Sequence, residues 1–248
     1  MDRINSRAST IIVIPTYNEA GNIEKLVKQV LKVDKKIGCL VVDDNSPDGT
    51  GKIVDQLAKK YPNRVFPIHR YHEKGRASAG IRGFKEALKL KPKYIGEMDA
   101  DFSHSPQDLK RFLKEIKSCD VVLGSRKVEG GQDINRSLLR KAITFISSLF
   151  LRLLLGIKIK DSGSGFKLYK KEVIESFDLN GFFAQKGIAI SLEINFRVVK
   201  KGYQVKEVPI IFCDRTVGQS KLKCYDFIEP IIVAVRLFFY LGRINLSK

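Results

Sequence analysis

Short, almost continuous apolar runs alternate with helical segments along the first half of this chain, and this alternation constrains the fold more than any other feature. The runs carry few of the alternating polar residues that mark a strand with one face in water. Between the first two runs, apolar residues recur at the spacing of one helical face across residues 23–31. Strands that are apolar on both faces are typical of parallel sheets covered by helices. We therefore predict an α/β fold with a mostly parallel sheet, whose strands lie at residues 10–14, 39–42, 65–69, 94–98 and 120–124.

Polar turns follow three of these strands, at residues 15–19, 43–48 and 99–101. In an open parallel sheet, ligands bind beyond the carboxyl ends of the strands. We therefore expect the three turns to share one binding site.

Two carboxylates, Asp99 and Asp101, stand one residue apart at the end of the fourth strand. On extended backbone, residues i and i+2 point the same way, so the two groups can reach one point and repel each other unless a cation or a proton intervenes. Mg²⁺ and Mn²⁺ take carboxylate oxygens, and Mg²⁺ is commonly shared between one or two carboxylates and substrate phosphates. The same pattern also occurs in plain turns and helix caps. The position at a strand end favours a metal-diphosphate site, with Asp101 as the first choice for direct ligation. Asp99 is either the second ligand or a hydrogen-bond partner to the ribose or to water.

The chain is strongly basic, with 45 Lys and Arg against 27 Asp and Glu among 248 residues and a net charge of +18. Its length suits one substantial domain, or a domain with an appendage. Such a charge implies a polyanionic partner, which is either nucleic acid or a phosphate-rich membrane face with phosphorylated substrates. A nucleic-acid-binding protein would explain the charge but not the aspartates at strand ends, and it predicts affinity that salt abolishes. We therefore expect no nucleic-acid partner.

Two segments, at residues 142–157 and 227–241, are apolar almost all round but too short to span a bilayer. They are either core helices or helices in the membrane interface, and the flanking basic residues favour the interface. We accordingly divide the chain into a domain at 1–225, with an interfacial helix near 137–157, and a membrane-interface helix at 226–248.

The N-terminal residues lack the apolar core of a signal peptide, so we expect a peripheral protein on the cytoplasmic side of a membrane. The four cysteines are far apart and form no C-x-x-C pair, and we predict buried free thiols in a reducing compartment.

Six motifs occur in order along residues 10–225: PTYNEAGNI at 15–23, VVDDNSPDGT at 41–50, MDADFSHSP at 98–106, GSR at 124–126, GSGFKLY at 163–169 and RTVGQSK at 215–221. Together they resemble the family 2 glycosyltransferases of the GT-A fold and, more narrowly, the dolichyl-phosphate mannose synthases. The resemblance implies a Rossmann-like sheet flanked by helices that binds a nucleotide sugar.

The resemblance also implies roles for individual residues. The candidates for contact with the nucleotide sugar are Pro15, Tyr17, Glu19, Val42, Asp44, Asp99, Ala100, Asp101, Arg126, Arg215 and Lys221. The metal candidates are Asp99, Asp101 and Ser103, the last standing where some relatives have a metal-binding Gln. The catalytic candidates are Asp101, Arg126 and Lys221.

The implied reaction is inverting transfer of a hexose, first of all mannose from GDP-mannose, to dolichyl or another polyprenyl phosphate with Mg²⁺ or Mn²⁺. A phosphate acceptor is already ionised near neutral pH, so it needs a cationic seat and not a general base. Arg126 and Arg140 could form that seat, with Lys221 as a point charge. The three histidines form no recognisable catalytic pair, and we interpret His104 as a turn residue.

Several alternatives remain at this point, among them a membrane-bound regulatory subunit that has lost activity and, as the non-enzyme alternative, a basic nucleic-acid-binding protein. A polyprenyl-phosphate glucosyl- or N-acetylglucosaminyltransferase would use a UDP-sugar with the same chemistry. A separate small membrane subunit could anchor the chain. A processive polysaccharide synthase is disfavoured, because its Q-x-x-R-W motif requires tryptophan and the chain has none.

Overall fold

The computed structural model describes residues 8–134, 149, 152–184, 187, 189–213 and 225–245, with the side chains of the last helix described over 228–239. Three predicted site residues, Arg140, Arg215 and Lys221, lie outside these ranges, as do Cys224 and most of the predicted interfacial helix at 137–157.

The described strands are β1 (Thr10–Thr16), β2 (Ile37–Asp43), β3 (Val65–His69), β4 (Tyr94–Glu97), β5 (Val121–Ser125), β6 (Gln132–Ile134), β7 (Lys167–Lys170), β8 (Val205–Pro209) and β9 (Ile211–Cys213). The described helices are α1 (Ile23–Val33), α2 (Thr50–Lys60), α3 (Arg76–Lys89), α4 (Asp108–Glu115), α5 (Lys171–Glu175), α6 (Ala189–Lys200) and α7 (Tyr225–Asn245).

Seven strands form the main sheet in the order β3-β2-β1-β4-β7-β5-β8. Strand β7 runs antiparallel to both of its neighbours, β4 and β5. The other neighbouring pairs are parallel, which confirms the predicted mostly parallel sheet. Strands β6 and β9 form a separate, short parallel pair.

Each face of the sheet buries its own hydrophobic core, as the apolar character of the strands predicts. Ile11 and Val13 of β1 pack on the side of α3, α6 and α7. Ile12 and Ile14 pack on the side of α1, α2 and α4. Because successive side chains of a strand point to opposite faces, a strand covered on both sides must be apolar at every position.

Helix α7 is buried on one face only. Val233, Ala234 and Leu237 are buried in the core that also contains residues of α6. The opposite face exposes six large apolar side chains: Ile228, Ile231, Ile232, Val235, Phe238 and Phe239. The helix therefore combines both behaviours that the sequence left open, a core contact and an apolar surface. No helix in the described part of the chain is long and apolar enough to cross a bilayer.

The thiols follow the prediction only in part. Cys39 and Cys119 are buried and free, but Cys213 is exposed, so the prediction of a buried thiol was wrong there. Cys213 ends β9, whose first and last residues face away from the protein.

Candidate active site

Hydrogen bonds join the turns after β1 and β2, which lie side by side because the two strands are parallel neighbours in the sheet. The backbone N–H groups of Asn18 and Ala20 donate to Ser46 Oγ and Asp48 Oδ2, each at 2.9 Å. Asp43 accepts bonds from the Ser46 N–H and hydroxyl, at 3.0 and 2.5 Å. The two loops therefore form one structural unit at the carboxyl end of the sheet.

Asp44, a predicted nucleotide contact, is held by protein groups on both of its oxygens. Arg70 Nε donates to Oδ1 at 2.6 Å, and the Gly75 N–H donates to Oδ2 at 2.9 Å. The Arg70–Asp44 ion pair is almost fully buried. The ion pair ties the β2 loop to the residue after β3, and the Gly75 bond ties it to the start of α3.

The other predicted nucleotide contacts differ in access. Tyr17 is 38% exposed, and the Lys74 ammonium lies 5.7 Å from the centre of its ring. The Glu19 N–H donates to Thr50 Oγ1 at 2.9 Å, which fixes this turn against α2. Val42 is fully buried in the core, so a nucleotide contact at this position would have to use its main chain. Pro15 pairs with Val42 across β1 and β2 and is only partly buried.

Asp101 and Ser103 form a closed turn after β4. Asp101 Oδ1 accepts bonds from the Ser103 N–H at 3.1 Å and from its hydroxyl at 2.6 Å. Ser103 is buried, and Phe102 between them has a φ of 61°. Ser103 orients the Asp101 carboxylate in this arrangement, and its role as a metal ligand stays a prediction. Ala100 is buried beneath the turn.

Asp99 is bonded to a cation that the sequence reasoning missed. Arg76 Nε and Nη2 both donate to Asp99 Oδ1, at 3.2 and 2.9 Å. Arg76 Nη1 donates to Glu97 Oε1 at 2.9 Å, and Glu97 is fully buried. Burial alone would lower the pKa of Arg76, but the carboxylates of Asp99 and Glu97 raise it above its ordinary value. Arg76 is therefore a permanent cation at this site.

Arg126, at the end of β5, forms a two-pronged ion pair with Asp161. Its Nε and Nη2 donate to Asp161 Oδ2 and Oδ1 at 2.8 and 2.7 Å, and its N–H donates to Oδ2 at 2.9 Å. The guanidinium lies 5.0 Å from the Phe212 ring centre. Burial opposes the charge on both groups, but their pairing holds the pKa of Asp161 below and that of Arg126 above the ordinary value. The pairing uses Nε and Nη2, and among the described residues no hydrogen bond is formed by Nη1.

The 163–165 turn lies against both guanidinium groups. A Cβ on Gly165 would lie 2.7 Å from Arg76 Nη2, and one on Gly163 would lie 3.9 Å from Arg126 Nη2. A side chain at position 165 would therefore force the Arg76 guanidinium to shift.

His104 lies in the turn, as predicted, but it is also a buried support for Asp99. Its ring stacks on Phe166 with the centres 5.0 Å apart, and it meets Phe212 edge-on at 5.5 Å. The Asp99 N–H donates to His104 Nδ1 at 3.3 Å. Burial lowers the pKa of His104 against the attraction of Asp99 and Asp101. A neutral ring that accepts at Nδ1 carries its proton on Nε2.

A buried polar cluster lies next to Arg76. Strand pairing places Glu97 opposite Lys167, and Tyr169 follows two residues later on the same face. Within the described residues, Glu97 Oε2, Lys167 Nζ and the Tyr169 hydroxyl make no hydrogen bond. Burial lowers the pKa of Lys167 to about 8.

The donor atoms at Asp99 and Asp101 fit a hard divalent cation that shares its ligands with phosphate. No group of three or more His, Cys, Asp or Glu side chains that could hold a metal occurs in the described ranges. Mg²⁺ sites of this kind use one or two carboxylates and complete their coordination with water and substrate phosphates. The residues fit a cation that arrives with a diphosphate better than one held by protein alone.

Comparison with known proteins identifies the family of this chain. The family model described as glycosyl transferase family 2 matches residues 11–177. The polyprenol monophosphomannose synthase of Mycolicibacterium smegmatis is 38% identical over 214 residues, which cover 86% of this chain and 80% of that protein. The dolichol-phosphate mannosyltransferase of Pyrococcus furiosus is 38% identical over 240 residues, which cover 94% of this chain and 65% of that protein.

A solved structure shows the same fold at low sequence identity. It is the glucosyl-3-phosphoglycerate synthase of Mycobacterium tuberculosis in complex with Mn²⁺, UDP and glucosyl-3-phosphoglycerate. The TM-score is 0.68 and the identity 14%, and the alignment covers 93% of this chain and 80% of that one. The GT-A fold implied by the motifs is confirmed.

Proposed function

Because the chain belongs to glycosyl transferase family 2, we propose that it transfers mannose from a nucleotide-diphosphate sugar to a polyprenyl phosphate. The observation that carries the proposal is the Asp99–Asp101 turn at the end of β4, which lies beside β1 in the middle of the sheet. GDP-mannose is the donor that we propose, and a UDP-sugar is the alternative.

The donor side of the site consists of the joined loops after β1 and β2. We assign the nucleotide to Pro15, Tyr17, Glu19, Val42 and Asp44. Tyr17 offers an exposed ring on which a base can stack. The bond between the Glu19 N–H and Thr50 holds the β1 turn in place before the ligand binds. Less conformational freedom is therefore lost on binding.

The diphosphate is assigned to the turn after β4, around Ala100. A bound Mg²⁺ or Mn²⁺ held by Asp101 and Asp99 would supply Lewis-acid stabilisation of the charge that grows on the leaving diphosphate. Ser103 keeps Asp101 oriented through two hydrogen bonds. His104 keeps the backbone of Asp99 in place.

The acceptor side is assigned to Arg126, with Arg140, Arg215 and Lys221 as further cations from the sequence. Asp161 fixes the Arg126 fork and leaves its Nη1 side for a phosphate oxygen. The ionised phosphate attacks the anomeric carbon opposite the diphosphate, so a new C–O bond forms as the bond to the diphosphate breaks and the configuration inverts. No side chain has to remove a proton from such an acceptor.

We further propose that residues 226–248 form a membrane-interface helix attached to a catalytic domain at 1–225 and that the protein binds peripherally to the cytoplasmic face. The apolar face of α7, defined by its six exposed residues above, supports this proposal, because a polyprenyl chain lies in the bilayer. A small membrane subunit is the alternative occupant of that face.

A donor and acceptor screen tests the function. GDP-mannose, UDP-glucose and UDP-N-acetylglucosamine are each offered with a polyprenyl phosphate and Mg²⁺ or Mn²⁺. We expect transfer from GDP-mannose, abolished by chelation and by Asp101→Ala, while Asp108→Ala, which removes only the ion pair with Arg111 at the start of α4, retains activity. Transfer from a UDP-sugar but not from GDP-mannose would identify the UDP-sugar as the donor. Full activity after chelation would contradict the metal site.

A further inference from the structure

Arg76 occupies a position in the site that neither the predicted ligands nor the proposed reaction explains. We propose that Arg76 is a positioning residue that sets the charge of the Asp99–Asp101 pair, so that the pair takes a divalent cation only together with the donor diphosphate. This inference rests on the proposed function and concerns how the same site is regulated by its own ligand.

The guanidinium is directed at Asp99 by two of its nitrogens. Nε and Nη2 reach the same oxygen, Asp99 Oδ1, at 3.2 and 2.9 Å. An oxygen that already accepts two charge-assisted hydrogen bonds is a weaker ligand for a cation. Asp101 Oδ1 accepts bonds from the neutral N–H and hydroxyl of Ser103, which orient this carboxylate.

The third guanidinium nitrogen of Arg76, Nη1, binds a buried carboxylate. Nη1 donates to Glu97 Oε1 at 2.9 Å, and the Glu97 side chain is 0% exposed. Glu97 is the last residue of β4, two positions before Asp99. A buried carboxylate without a cation is costly, so Glu97 keeps Arg76 at this place.

The backbone around Arg76 leaves the guanidinium little room to move. Arg76 begins α3 directly after Gly75, whose φ is 133°. Gly165 passes so close that a Cβ there would lie 2.7 Å from Nη2. A Cβ on Gly80 would lie 3.3 Å from Glu97 Oε1. The fold thus holds Arg76 between the two carboxylates and the 163–165 turn.

A unit positive charge a few ångströms away repels an incoming cation substantially, even with partial solvent screening. Arg76 therefore lowers the affinity of the free protein for a divalent metal. A bound nucleotide diphosphate adds negative charge next to Asp99 and Asp101 and so restores the affinity for the metal. The enzyme then loads its metal with the donor and does not hold it between turnovers.

Mn²⁺ binding to the full chain tests this inference, measured by the loss of the free-ion electron paramagnetic resonance signal with and without GDP. Arg76→Gln removes the charge, and the double variant Arg76→Gln/Glu97→Gln also removes the buried carboxylate that a single substitution would leave unpaired. Arg82→Gln is the matched control, because Arg82 lies in the same helix and pairs with Glu86 at the surface.

Without GDP, we expect both Arg76→Gln variants to bind Mn²⁺ roughly tenfold or more tightly than the wild type. Arg82→Gln should bind like the wild type. Arg76→Lys, which keeps the charge but not the fork, should also stay weak, and this result would not follow from a merely structural role. With GDP, the difference between the variants should shrink.

Wild-type affinity in the double variant, with cooperative unfolding retained, would overturn the role of Arg76. Tight Mn²⁺ binding by the wild type without GDP would do the same. Failure of every form to bind Mn²⁺ even with GDP or UDP is a different result: it would contradict the proposed metal site itself and the inference with it.

Discussion

Arg126 and Asp161 show how one residue can serve both the fold and the reaction. The pair is buried beside Phe212, and removal of one partner leaves an uncompensated charge that destabilises the protein. A test of the acceptor site therefore has to remove both charges together.

We predict that Arg126→Ala/Asp161→Asn retains the fold and loses about ten- to a hundredfold in kcat/KM for the polyprenyl phosphate, the value of one charge-assisted hydrogen bond to the substrate. Steady-state kinetics with the acceptor varied measure this loss. Arg111→Ala is the control, since Arg111 forms an exposed pair with Asp108. Unchanged constants in the double variant would contradict a cationic seat at Arg126.

Lys167 gives the protein a specific pH dependence of stability. Burial lowers its pKa from 10.5 to about 8. Between these values the unfolded chain binds the proton and the folded protein does not, so the free energy of unfolding rises with pH in this window. Below about pH 8 the folded protein carries a buried ammonium and this gain is absent.

We therefore predict that wild type gains roughly 2 kcal/mol relative to Lys167→Met between about pH 8 and pH 10. Urea denaturation at several pH values measures the difference. Lys91→Met, at an exposed position, should show the wild-type slope. Parallel curves for wild type and Lys167→Met would show that Lys167 titrates normally.

The aspartates were predictable from the sequence and their partners were not, for a physical reason. Asp99 and Asp101 follow an apolar strand, and the position of strand ends in a parallel sheet is a local signal. Arg76 and Asp161 are joined to Asp99 and Arg126 across 23 and 35 residues. Such pairs depend on how elements pack, which periodicity does not encode. Glu97 inside an apolar strand was the one visible sign of a buried ion pair.

At the scale of elements, the contact between α3 and β1 positions Arg76. A Cβ on Gly83 would lie 2.2 Å from Val13 Cγ1, closer than two non-bonded carbon atoms can approach. Helix and strand can touch at this distance only because residue 83 is glycine.

We predict that Gly83→Ala lowers the free energy of unfolding by about 1–3 kcal/mol, the usual cost of overpacking a core, even though alanine favours helix. Thermal and urea denaturation measure it. Gly21→Ala is the control, because a Cβ there meets no atom within 4 Å. An equal effect of the two substitutions would contradict the close contact.

Helix α7 has one face buried in the core and one apolar face that is exposed. Its exposed face carries Phe239, which is 67% exposed, beside Ile232 and Phe238. An apolar face of this size is typical of a membrane or protein interaction site.

We predict that Phe239→Glu/Ile232→Glu lowers flotation with anionic liposomes at least tenfold, because charged side chains no longer enter the interface. The matched control is Tyr71→Glu, an exposed aromatic that follows β3. Unfolding should stay unchanged in both. Loss of association with a membrane subunit, with flotation retained, would favour the alternative occupant.

Five predicted strands and the helices between them are present because each carries its own apolar pattern. The sequence did not reveal that β7 is antiparallel, that β6 exists, or that the strand segment at 205–213 divides into β8 and β9. Strands of three and four residues have too little periodicity to be recognised. The direction of β7 depends on where the preceding connection brings the chain back.

At the scale of the whole molecule, the charge of +18 now has a chemical context. The proposed function brings the protein to a nucleotide diphosphate, a lipid phosphate and an anionic membrane, and positive charge favours all three encounters.

The position of β7 has a consequence for how the chain assembles during synthesis. Strands β3, β2, β1 and β4 are complete once residue 97 has left the ribosome, and they can pair at once. Strand β5 follows soon after but has no place beside β4, because β7 separates them and begins only at residue 167. The nascent chain therefore keeps an unpaired edge on β4 for about 70 residues, several seconds at ordinary translation rates. An open strand edge of this kind can pair with another chain and lead to aggregation. The strand at the middle of the finished sheet is therefore an exposed edge while the chain is being synthesised.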